Sequence, residues 1–287
     1  MINVLVTGSN GQLGSCINEL SSNYNNINFI YTDYLELDIC NFADINAFFE
    51  LQKKIDYCIN CAAYTAVDKA ETETDNAIKL NETGVKNLAL ACVKNNAVLI
   101  HISTDFVFDG KQSIPYKETD KPNPISVYGE TKLGGELEIT KALNNYFIIR
   151  TSWLYSEFCN NFMKTMLRLA KTHNEISVVC DQVGTPTYAK DLAEVILNLI
   201  NSKNQDFGLY HYSNKGVASW YDFAMEIFDI TKKDIYVNPI PTLEYPTPAQ
   251  RPFYSVMDKT KITNNLGVSI PYWRDSLKLA LKNFKKN

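Results

Sequence analysis

The sequence contains no apolar run that approaches the roughly 20 residues needed to span a bilayer, which argues against a membrane-embedded protein. Basic residues are not in excess either: the net charge is −4, whereas a nucleic-acid partner would favour a basic face. Internal repeats and low-complexity tracts are missing as well. These absences leave an ordinary globular protein, long enough at 287 residues for one large domain or two closely joined lobes.

Signals for export are also missing. The chain opens directly on the strand-like segment Ile2-Asn3-Val4-Leu5-Val6, with no basic region ahead of it. Its seven cysteines are an odd number for a chain without an export signal, so reduced thiols are expected. We therefore predict a cytoplasmic location.

The first half of the chain alternates between strand-like and helix-like stretches, the pattern of a parallel sheet covered by helices. The clearest helical pattern covers residues 75–95, where apolar side chains recur on one face. Because a sheet buried on both faces has uninterrupted apolar strands, the apolar runs predict a doubly wound α/β sheet of the Rossmann type. These runs are residues 2–6, 27–31, 57–60, 97–102 and 146–149.

The alternation of strand-like and helix-like stretches becomes less regular after Arg150. Helical patterns cover residues 161–171, 189–201 and 219–229, with proline-bearing loops around them. We predict a dinucleotide-binding lobe over residues 1–155 and a smaller, mainly substrate-binding lobe over residues 156–287. The helix at 189–201 is expected to pack back on the first lobe.

A glycine-rich turn, Thr7-Gly8-Ser9-Asn10-Gly11-Gln12-Leu13-Gly14, follows the first strand and leads into a helical stretch. Glycines permit the tight turn, the approach of backbone N–H groups to a pyrophosphate and close helix–strand packing. The helix N-terminus offers further free N–H groups to the anion. The turn predicts a dinucleotide site, although a glycine-rich turn without a ligand has the same spacing.

Asp33 lies just past the second strand, where a carboxylate can accept hydrogen bonds from the adenosine ribose hydroxyls. It would also repel a 2′-phosphate, and no arginine lies nearby in the sequence. The position favours NADH over NADPH, and an exposed loop aspartate is the alternative.

Cys58-Ile59-Asn60-Cys61 has the C-x-x-C spacing of a zinc or redox site. Because it falls on an apolar strand with no second cysteine pair or histidine cluster near it, we predict packed free thiols instead. The small residues Ala62 and Ala63 that follow would let a cofactor lie against the backbone.

Tyr128 and Lys132 have the Y-x-x-x-K spacing, which places a phenol and an ammonium side by side on a helix. A neighbouring cation lowers the pKa of a phenol, which suits general acid–base work on a carbonyl or alcohol. Thr104 directly follows an apolar strand, at the edge of the sheet where the active crevice of such folds lies. Its hydroxyl could stabilise charge on a substrate oxygen, although a helix cap is the alternative.

Together, the glycine turn, Thr104, Tyr128 and Lys132 resemble the extended short-chain dehydrogenases/reductases. More narrowly, motifs along nearly the whole chain resemble the dTDP-4-dehydrorhamnose reductase family. The motifs that carry this resemblance are A-Y-T-A-V-D-K-A-E from Ala63, S-T-D-F-V-F-D-G from Ser103, V-Y-G-E-T-K-L-G-G-E from Val127, R-T-S-W-L-Y from Arg150, N-N-F from Asn160, D-Q-V-G-T-P-T from Asp181 and Y-P-T-P-A-Q-R-P from Tyr245.

This resemblance implies a reductase of dTDP-rhamnose synthesis that uses NADH or NADPH. It implies that Tyr128 donates the proton, that Lys132 holds the nicotinamide ribose, and that Thr104 and Asp105 contact the sugar beside Trp153. Asn81 would help to organise a proton relay. The residues implied to line the dinucleotide are Gly8, Asn10, Gly11, Gln12, Leu13, Gly14, Asp33, Asp38, Ile39, Ala62, Ala63, Tyr64, Tyr128 and Lys132.

Some family members have a glutamate just after the glycine turn that takes part in Mg²⁺ binding at a dimer interface. Ser15 occupies that region here, so no metal ligand is assigned and Mg²⁺ dependence is not expected from the same site. The resemblance allows a homodimer.

Two alternatives remain open from the sequence. One is another sugar-nucleotide enzyme of the superfamily, an epimerase or a 4,6-dehydratase. A dehydratase usually has Asp-Glu after the threonine, whereas this chain has Asp105-Phe106. The other is a non-catalytic regulatory subunit of a methionine adenosyltransferase, against which the intact Thr104, Tyr128 and Lys132 argue.

Overall fold

A six-stranded parallel sheet lies at the centre of the computed structural model, which describes residues 1–52 and 54–285. The strands of the protein, in chain order, are β1 (Ile2–Thr7), β2 (Ile27–Thr32), β3 (Tyr57–Asn60), β4 (Val98–Thr104), β5 (Tyr146–Thr151), β6 (Leu154–Tyr155), β7 (Glu175–Val179), β8 (Val183–Gly184), β9 (Thr187–Tyr188), β10 (Gly208–His211), β11 (Ala218–Ser219) and β12 (Tyr236–Ile240). The order in the central sheet is β10-β5-β4-β3-β1-β2.

Helices cover the sheet and build the second lobe. In chain order they are α1 (Gln12–Leu20), α2 (Phe42–Leu51), α3 (Val67–Ala70), α4 (Thr74–Ile78), α5 (Gly84–Asn95), α6 (Val127–Ala142), α7 (Phe162–Leu169), α8 (Ala189–Asn201), α9 (Trp220–Thr231), α10 (Thr260–Leu266) and α11 (Trp273–Phe284). Within the described ranges, no helix is long and apolar enough to cross a membrane.

Alternate residues of β1 point to opposite faces of the sheet, and both faces are buried. Val4 and Val6 pack with side chains of α1 and α8, whereas Leu5 packs with side chains of α2, α5 and α6. Burial on both faces is the reason that the strands read as continuous apolar runs in the sequence. The predicted doubly wound Rossmann-type sheet is confirmed.

The chain returns to this sheet after the predicted lobe boundary at residue 155. Helix α8 packs against α1. Lys190 at the start of α8 forms an ion pair with Glu19 of α1, with 2.8 Å between Nζ and Oε1. Strand β10 then pairs with β5, an addition to the sheet that the sequence pattern did not predict because the strand is short and only partly apolar. The division of the chain into functional lobes stays a prediction.

A separate hydrophobic cluster lies outside the sheet. It joins α7, α9 and α11 and includes the buried side chains of Tyr155, Tyr188 and Trp273. Three two-stranded pieces, β6/β9, β7/β12 and β8/β11, accompany it. These elements extend the protein beyond the carboxyl end of β5.

The helix predicted over residues 75–95 is divided in the structure into α4, a π-helical turn at Lys79–Thr83, and α5. Asn81 in this turn is fully buried, and its Oδ1 accepts the Tyr64 N–H at 2.8 Å while its Nδ2 donates to the Tyr64 carbonyl at 3.1 Å. The wider turn directs this side chain inward, and π-turns of this kind are frequent at functional sites.

Candidate active site

Thr104, Tyr128 and Lys132 meet at the carboxyl edge of the sheet. Thr104 ends β4, and the other two residues lie in the first turns of α6, which begins after the Ser126 side chain accepts the Gly129 N–H at 3.2 Å. A side chain on Gly129 would collide with the Phe106 carbonyl oxygen, so glycine at this position permits the close approach. The approach brings the helix against the turn that follows Thr104.

Tyr128 is partly buried, and its hydroxyl lies near Thr104. Its ring meets Phe106 edge-on, with centroids 5.5 Å apart. Burial raises the pKa of Tyr128 to about 12, the nearby Thr104 side chain opposes the rise, and the Asp105 charge adds to it. The sequence led us to expect a pKa lowered by Lys132, but burial in this site is the larger effect.

Lys132 is buried beside Tyr128, and its Nζ donates to the Ile102 carbonyl at the end of β4 over 2.7 Å. Burial lowers the pKa of Lys132 to about 8, whereas Glu136 and Cys61 raise it. The ammonium is therefore easier to deprotonate than an exposed lysine, which suits a group that exchanges protons near neutral pH.

Asp105 places a buried carboxyl beside Thr104. Its Oδ1 accepts the Thr104 hydroxyl at 3.1 Å, Ser255 lies near the same carboxyl, and its Oδ2 has no partner among the described residues. Burial raises the pKa of Asp105 to about 6, and the Ser255 and Thr104 side chains oppose the rise. A buried oxygen without a partner can accept a hydrogen bond from a substrate hydroxyl.

A cavity of about 350 Å³ opens at Cys61, which lies near Lys132, and it is not lined by Thr104, Tyr128 or Lys132 themselves. Of the residues implied to hold a dinucleotide, it is lined by Gly8, Asn10, Gly11, Asp33, Asp38, Ile39, Ala62 and Ala63. Cys61, Tyr34, Leu37 and Leu80 complete the lining. The structure thus brings most of these residues together in one cleft.

The three glycines of the turn meet different requirements. Gly8 has φ +64°, and a Cβ there would lie 2.6 Å from the Ala62 nitrogen; a Cβ on Gly14 would lie 2.5 Å from the Ser9 oxygen. A Cβ on Gly11 would meet only the Gly8 oxygen at 3.3 Å. The missing side chain at Gly11 therefore leaves space in the cleft, whereas packing of the turn does not require a glycine there. A cradle of this kind fits the pyrophosphate of a dinucleotide.

Gly11 is also the N-cap of α1 and supplies no side-chain hydrogen bond, so the first-turn amides remain free for an anion. Gln12 and Leu13 of the glycine turn do not line the cleft. Leu13 packs into the sheet core, and the Gln12 amide oxygen accepts hydrogen bonds from Ser156 at 3.0 Å and Asn161 at 2.9 Å. Their side chains therefore serve packing and hydrogen bonding within the protein.

Asp33 lies at the far end of the cleft, where its Oδ2 accepts the Asn10 N–H at 3.0 Å and its Oδ1 accepts the Tyr34 N–H at 2.8 Å. Asp38 also lines the cleft, and its Oδ1 accepts the Cys40 N–H at 2.9 Å. Both carboxylates are fixed by backbone groups. This end of the cleft is acidic, and none of the described residues that line it is a cation.

Trp153 follows β5, whose residue Thr151 is paired with Thr104 of β4, so it lies at the same edge of the sheet. Its backbone is in the left-handed region at φ +45°, and its ring stacks on Trp220 with centroids 3.7 Å apart. Trp220 was missed by the sequence interpretation because no motif or spacing connects it to Trp153. The pair forms an aromatic shelf at this edge.

Tyr64 lies apart from the residues that line the cleft, since its hydroxyl donates to Glu73 at 2.8 Å and its backbone bonds to Asn81. Asn81 also donates to the Thr131 hydroxyl at 3.1 Å, which ties the π-turn to α6 between Tyr128 and Lys132.

All seven cysteines are free thiols, Cys58 among them buried. Across residues 1–52 and 54–285, no group of three or more His, Cys, Asp or Glu side chains could hold a metal ion.

The chain matches a known family over almost its whole length. The family model described as "RmlD substrate binding domain" matches residues 2–286. The dTDP-4-dehydrorhamnose reductase of Aggregatibacter actinomycetemcomitans is 41% identical, in an alignment that covers 97% of this chain and 98% of that protein.

Solved structures agree with this match. A dTDP-4-dehydrorhamnose reductase from Clostridium acetobutylicum superposes with a TM-score of 0.95 at 45% identity, covering 99% of this chain and 100% of that one. The dTDP-4-dehydrorhamnose reductase of Bacillus anthracis in complex with NADP superposes with a TM-score of 0.94 at 40% identity, with the same coverage.

Proposed function

Because the chain belongs to the dTDP-4-dehydrorhamnose reductase family, we propose that it reduces the C4 keto group of dTDP-4-dehydro-6-deoxy-L-mannose to give dTDP-L-rhamnose. The reductant is NADH or NADPH, as the NADP-bound relative supports. The observation that carries the proposal is the cluster of Thr104, Tyr128 and Lys132 at the edge of the sheet, next to Cys61, which lines the glycine-rich cleft.

The nicotinamide cofactor supplies the hydride when it is bound. Gly8, Gly11 and the free amides at the start of α1 would hold its pyrophosphate, since they combine backbone N–H groups with an unobstructed approach. Asp33 would accept hydrogen bonds from the adenosine ribose hydroxyls. Ala62 and Ala63 offer a flat backbone surface between these two ends.

Tyr128 acts as the general acid. Its hydroxyl lies next to Thr104, so a keto oxygen bound between the two would accept the phenolic proton as negative charge develops on it. A pKa of about 12 keeps the phenol protonated at neutral pH, which is the form that a reductase requires. Lys132, one turn later on α6, would offer its remaining N–H groups to the nicotinamide ribose.

Thr104, Asp105 and Trp153 form the sugar-binding end. The unpartnered Oδ2 of Asp105 accepts a sugar hydroxyl, and the Trp153 ring provides an apolar surface for the deoxygenated face and methyl group of the sugar. Residues 156–287 would contribute most of the remaining contacts to the nucleotide.

The cellular setting follows from the same proposal. A dTDP-sugar made for polysaccharide synthesis places the enzyme in the cytoplasm, where its substrate and cofactor are found. We infer no nucleic-acid partner, given the net charge of −4.

The decisive experiment is a spectrophotometric assay with purified protein, NADH or NADPH, and enzymatically prepared dTDP-4-dehydro-6-deoxy-L-mannose. Absorbance at the nicotinamide band should fall, and the product should co-migrate with dTDP-L-rhamnose. UDP-glucose serves as the control substrate. Absence of cofactor oxidation together with epimerisation of UDP-glucose would overturn the proposal, and stable capture of a methionine adenosyltransferase without turnover would favour a regulatory role.

A further inference from the structure

His101 lies beneath the active site, in direct contact with Lys132, and has no part in the steps described above. Its side chain is fully buried in β4. Its Nδ1 lies 3.1 Å from Asn60 Nδ2, and its Nε2 lies 3.3 Å from Lys132 Nζ. The imidazole therefore connects the end of β3 to the lysine.

The orientation of the Asn60 amide is fixed by two donors. Its Oδ1 accepts the Thr7 hydroxyl at 2.8 Å and the Ala62 backbone N–H at 3.1 Å. A backbone N–H can only donate, so the atom that faces Ala62 must be the amide oxygen. The amide nitrogen consequently faces His101.

An amide nitrogen can only donate, so the Nδ1 of His101 must accept. Burial, reinforced by the charge of Lys132, holds the pKa of His101 well below its ordinary value, and the ring is neutral. A neutral imidazole carries one proton, which must then be on Nε2, the atom that faces Lys132.

The protonated Nε2 and an ammonium are both donors, and two donors 3.3 Å apart do not form a hydrogen bond. A neutral amine, by contrast, has a lone pair that can accept the Nε2–H while an N–H of the same amine still donates to the Ile102 carbonyl at 2.7 Å. The contact thus favours the uncharged lysine.

We propose that His101 is a positioning residue for Lys132: Asn60 fixes its Nε2–H tautomer, and this N–H orients Nζ towards the Ile102 carbonyl and favours the neutral amine. The role assigned to the lysine rests on the proposed function, whereas the tautomer does not.

Other charged groups face Lys132 as well. Glu136 lies one turn further along α6 and favours the ammonium, but it is held by Arg150 of β5 through a 2.6 Å ion pair. Cys61, at the end of β3, acts in the same direction, and Tyr128 lies one turn earlier on α6, with Asp105 beside it. Burial opposes these groups and lowers the pKa of Lys132 to about 8, and the His101 contact acts in the same direction as burial.

The sign of the expected pH effect follows. If the ammonium is the form that binds the ribose, activity and NADH affinity should fall as pH rises through the pKa of Lys132. Removal of the Nε2–H donor raises that pKa. The fall of activity and NADH affinity at alkaline pH, called the alkaline fall below, should then move to higher pH by about 0.5–1 unit, which is the size expected for one hydrogen bond.

Nitrogen-15 NMR of the histidine-labelled wild-type protein tests the tautomer directly. The chain has three histidines, and the signals that are missing from the spectrum of His101→Phe are those of His101. We expect a neutral ring with a protonated Nε2 between pH 6 and 9. An Nδ1–H tautomer or a charged imidazolium in this range would overturn the proposal without any variant having to be active.

Variants test the consequence for Lys132 through the pH dependence of NADH affinity and of kcat/KM. His101→Phe should move the alkaline fall upwards, and an unmoved fall contradicts the proposal. His173→Gln, which replaces an exposed histidine whose ring contacts Thr172 and the Leu169 carbonyl, is the control and should leave the fall in place. If the sugar nucleotide is not turned over at all, the proposed function fails, whereas the tautomer and NADH affinity still decide the role of His101.

Asn60→Asp provides the opposite test. The new carboxylate should accept from Nδ1, move the proton off Nε2 and let that nitrogen accept from the ammonium. Both the NMR signal and the alkaline fall should then change. An upward shift of the fall with the tautomer unchanged would be a charge effect alone and would contradict the proposal.

Discussion

The indole rings of Trp153 and Trp220 stack in parallel, with centroids 3.7 Å apart and planes inclined by 8°. Trp153 has φ +45°, a conformation that costs about 1–3 kcal/mol for a residue of this kind. The stack and the hydrogen bond from the Thr187 N–H to the Trp153 carbonyl hold it there. Trp220 thus supports the Trp153 ring, which we propose to face the sugar.

Trp220→Ala should raise the KM for the sugar nucleotide by about 2–10-fold with little change in kcat, since an aromatic pair contributes about 0.5–1.5 kcal/mol. Trp220→Phe keeps a ring in the stack and should stay close to wild type. Steady-state kinetics decides, and an unchanged KM in Trp220→Ala would show that Trp153 needs no such support.

Asp33 should make NADH at least as good a cofactor as NADPH in kcat/KM, because a 2′-phosphate would meet a fixed carboxylate at the acidic end of the cleft. Asp33→Ala should shift the ratio towards NADPH by removing this repulsion. Glu36→Gln is the matched control, since it removes a neighbouring carboxylate that accepts the Asp33 N–H at 2.9 Å. A strong NADPH preference that Asp33→Ala leaves unaltered would show that this carboxylate does not face the ribose.

Tyr128→Phe should lower kcat by about 10²–10⁴-fold, the usual contribution of a general acid, because only the transferable proton is lost. The dissociation constant for NADH, measured by fluorescence titration, should be unchanged. Tyr24→Phe removes a remote hydroxyl bonded to Asn198 and should keep the wild-type rate. Full turnover by Tyr128→Phe would require another acid.

Gly11→Val should abolish NADH binding in isothermal titration while leaving the melting temperature near that of the wild type, because the new side chain enters the cleft rather than the fold. Gly14→Val offers the contrast: its Cβ would lie 2.5 Å from the Ser9 oxygen, so it should lower the melting temperature as well. Normal binding by Gly11→Val would mean that the turn is purely structural.

Arg150→Met should lower the free energy of unfolding by about 3–5 kcal/mol, because it leaves the buried Glu136 carboxylate without its cation. Lys232→Met, in an exposed pair with Asp229, should change it by less than about 1 kcal/mol. Urea unfolding of both variants provides the comparison. Equal losses would show that the buried pair contributes no more than the exposed one.

The sequence by itself determined the parallel sheet and the placement of the reactive groups along it. Strands buried on both faces must be apolar throughout, so the runs that became β1 to β5 could be read directly. Glycine spacing and the four-residue separation of Tyr128 and Lys132 are local requirements, and the residues that meet them are adjacent in the chain.

Only the tertiary structure decided which distant residues act on these groups. Burial, a property of the assembled protein, raises the pKa of Tyr128 where the local spacing with Lys132 predicted a lower one. The contacts of Trp153 with Trp220 and of His101 with Asn60 and Lys132 join elements that are far apart in the sequence. The apolar pattern of the sequence does not predict such contacts, because they arise from how the strands and helices pack.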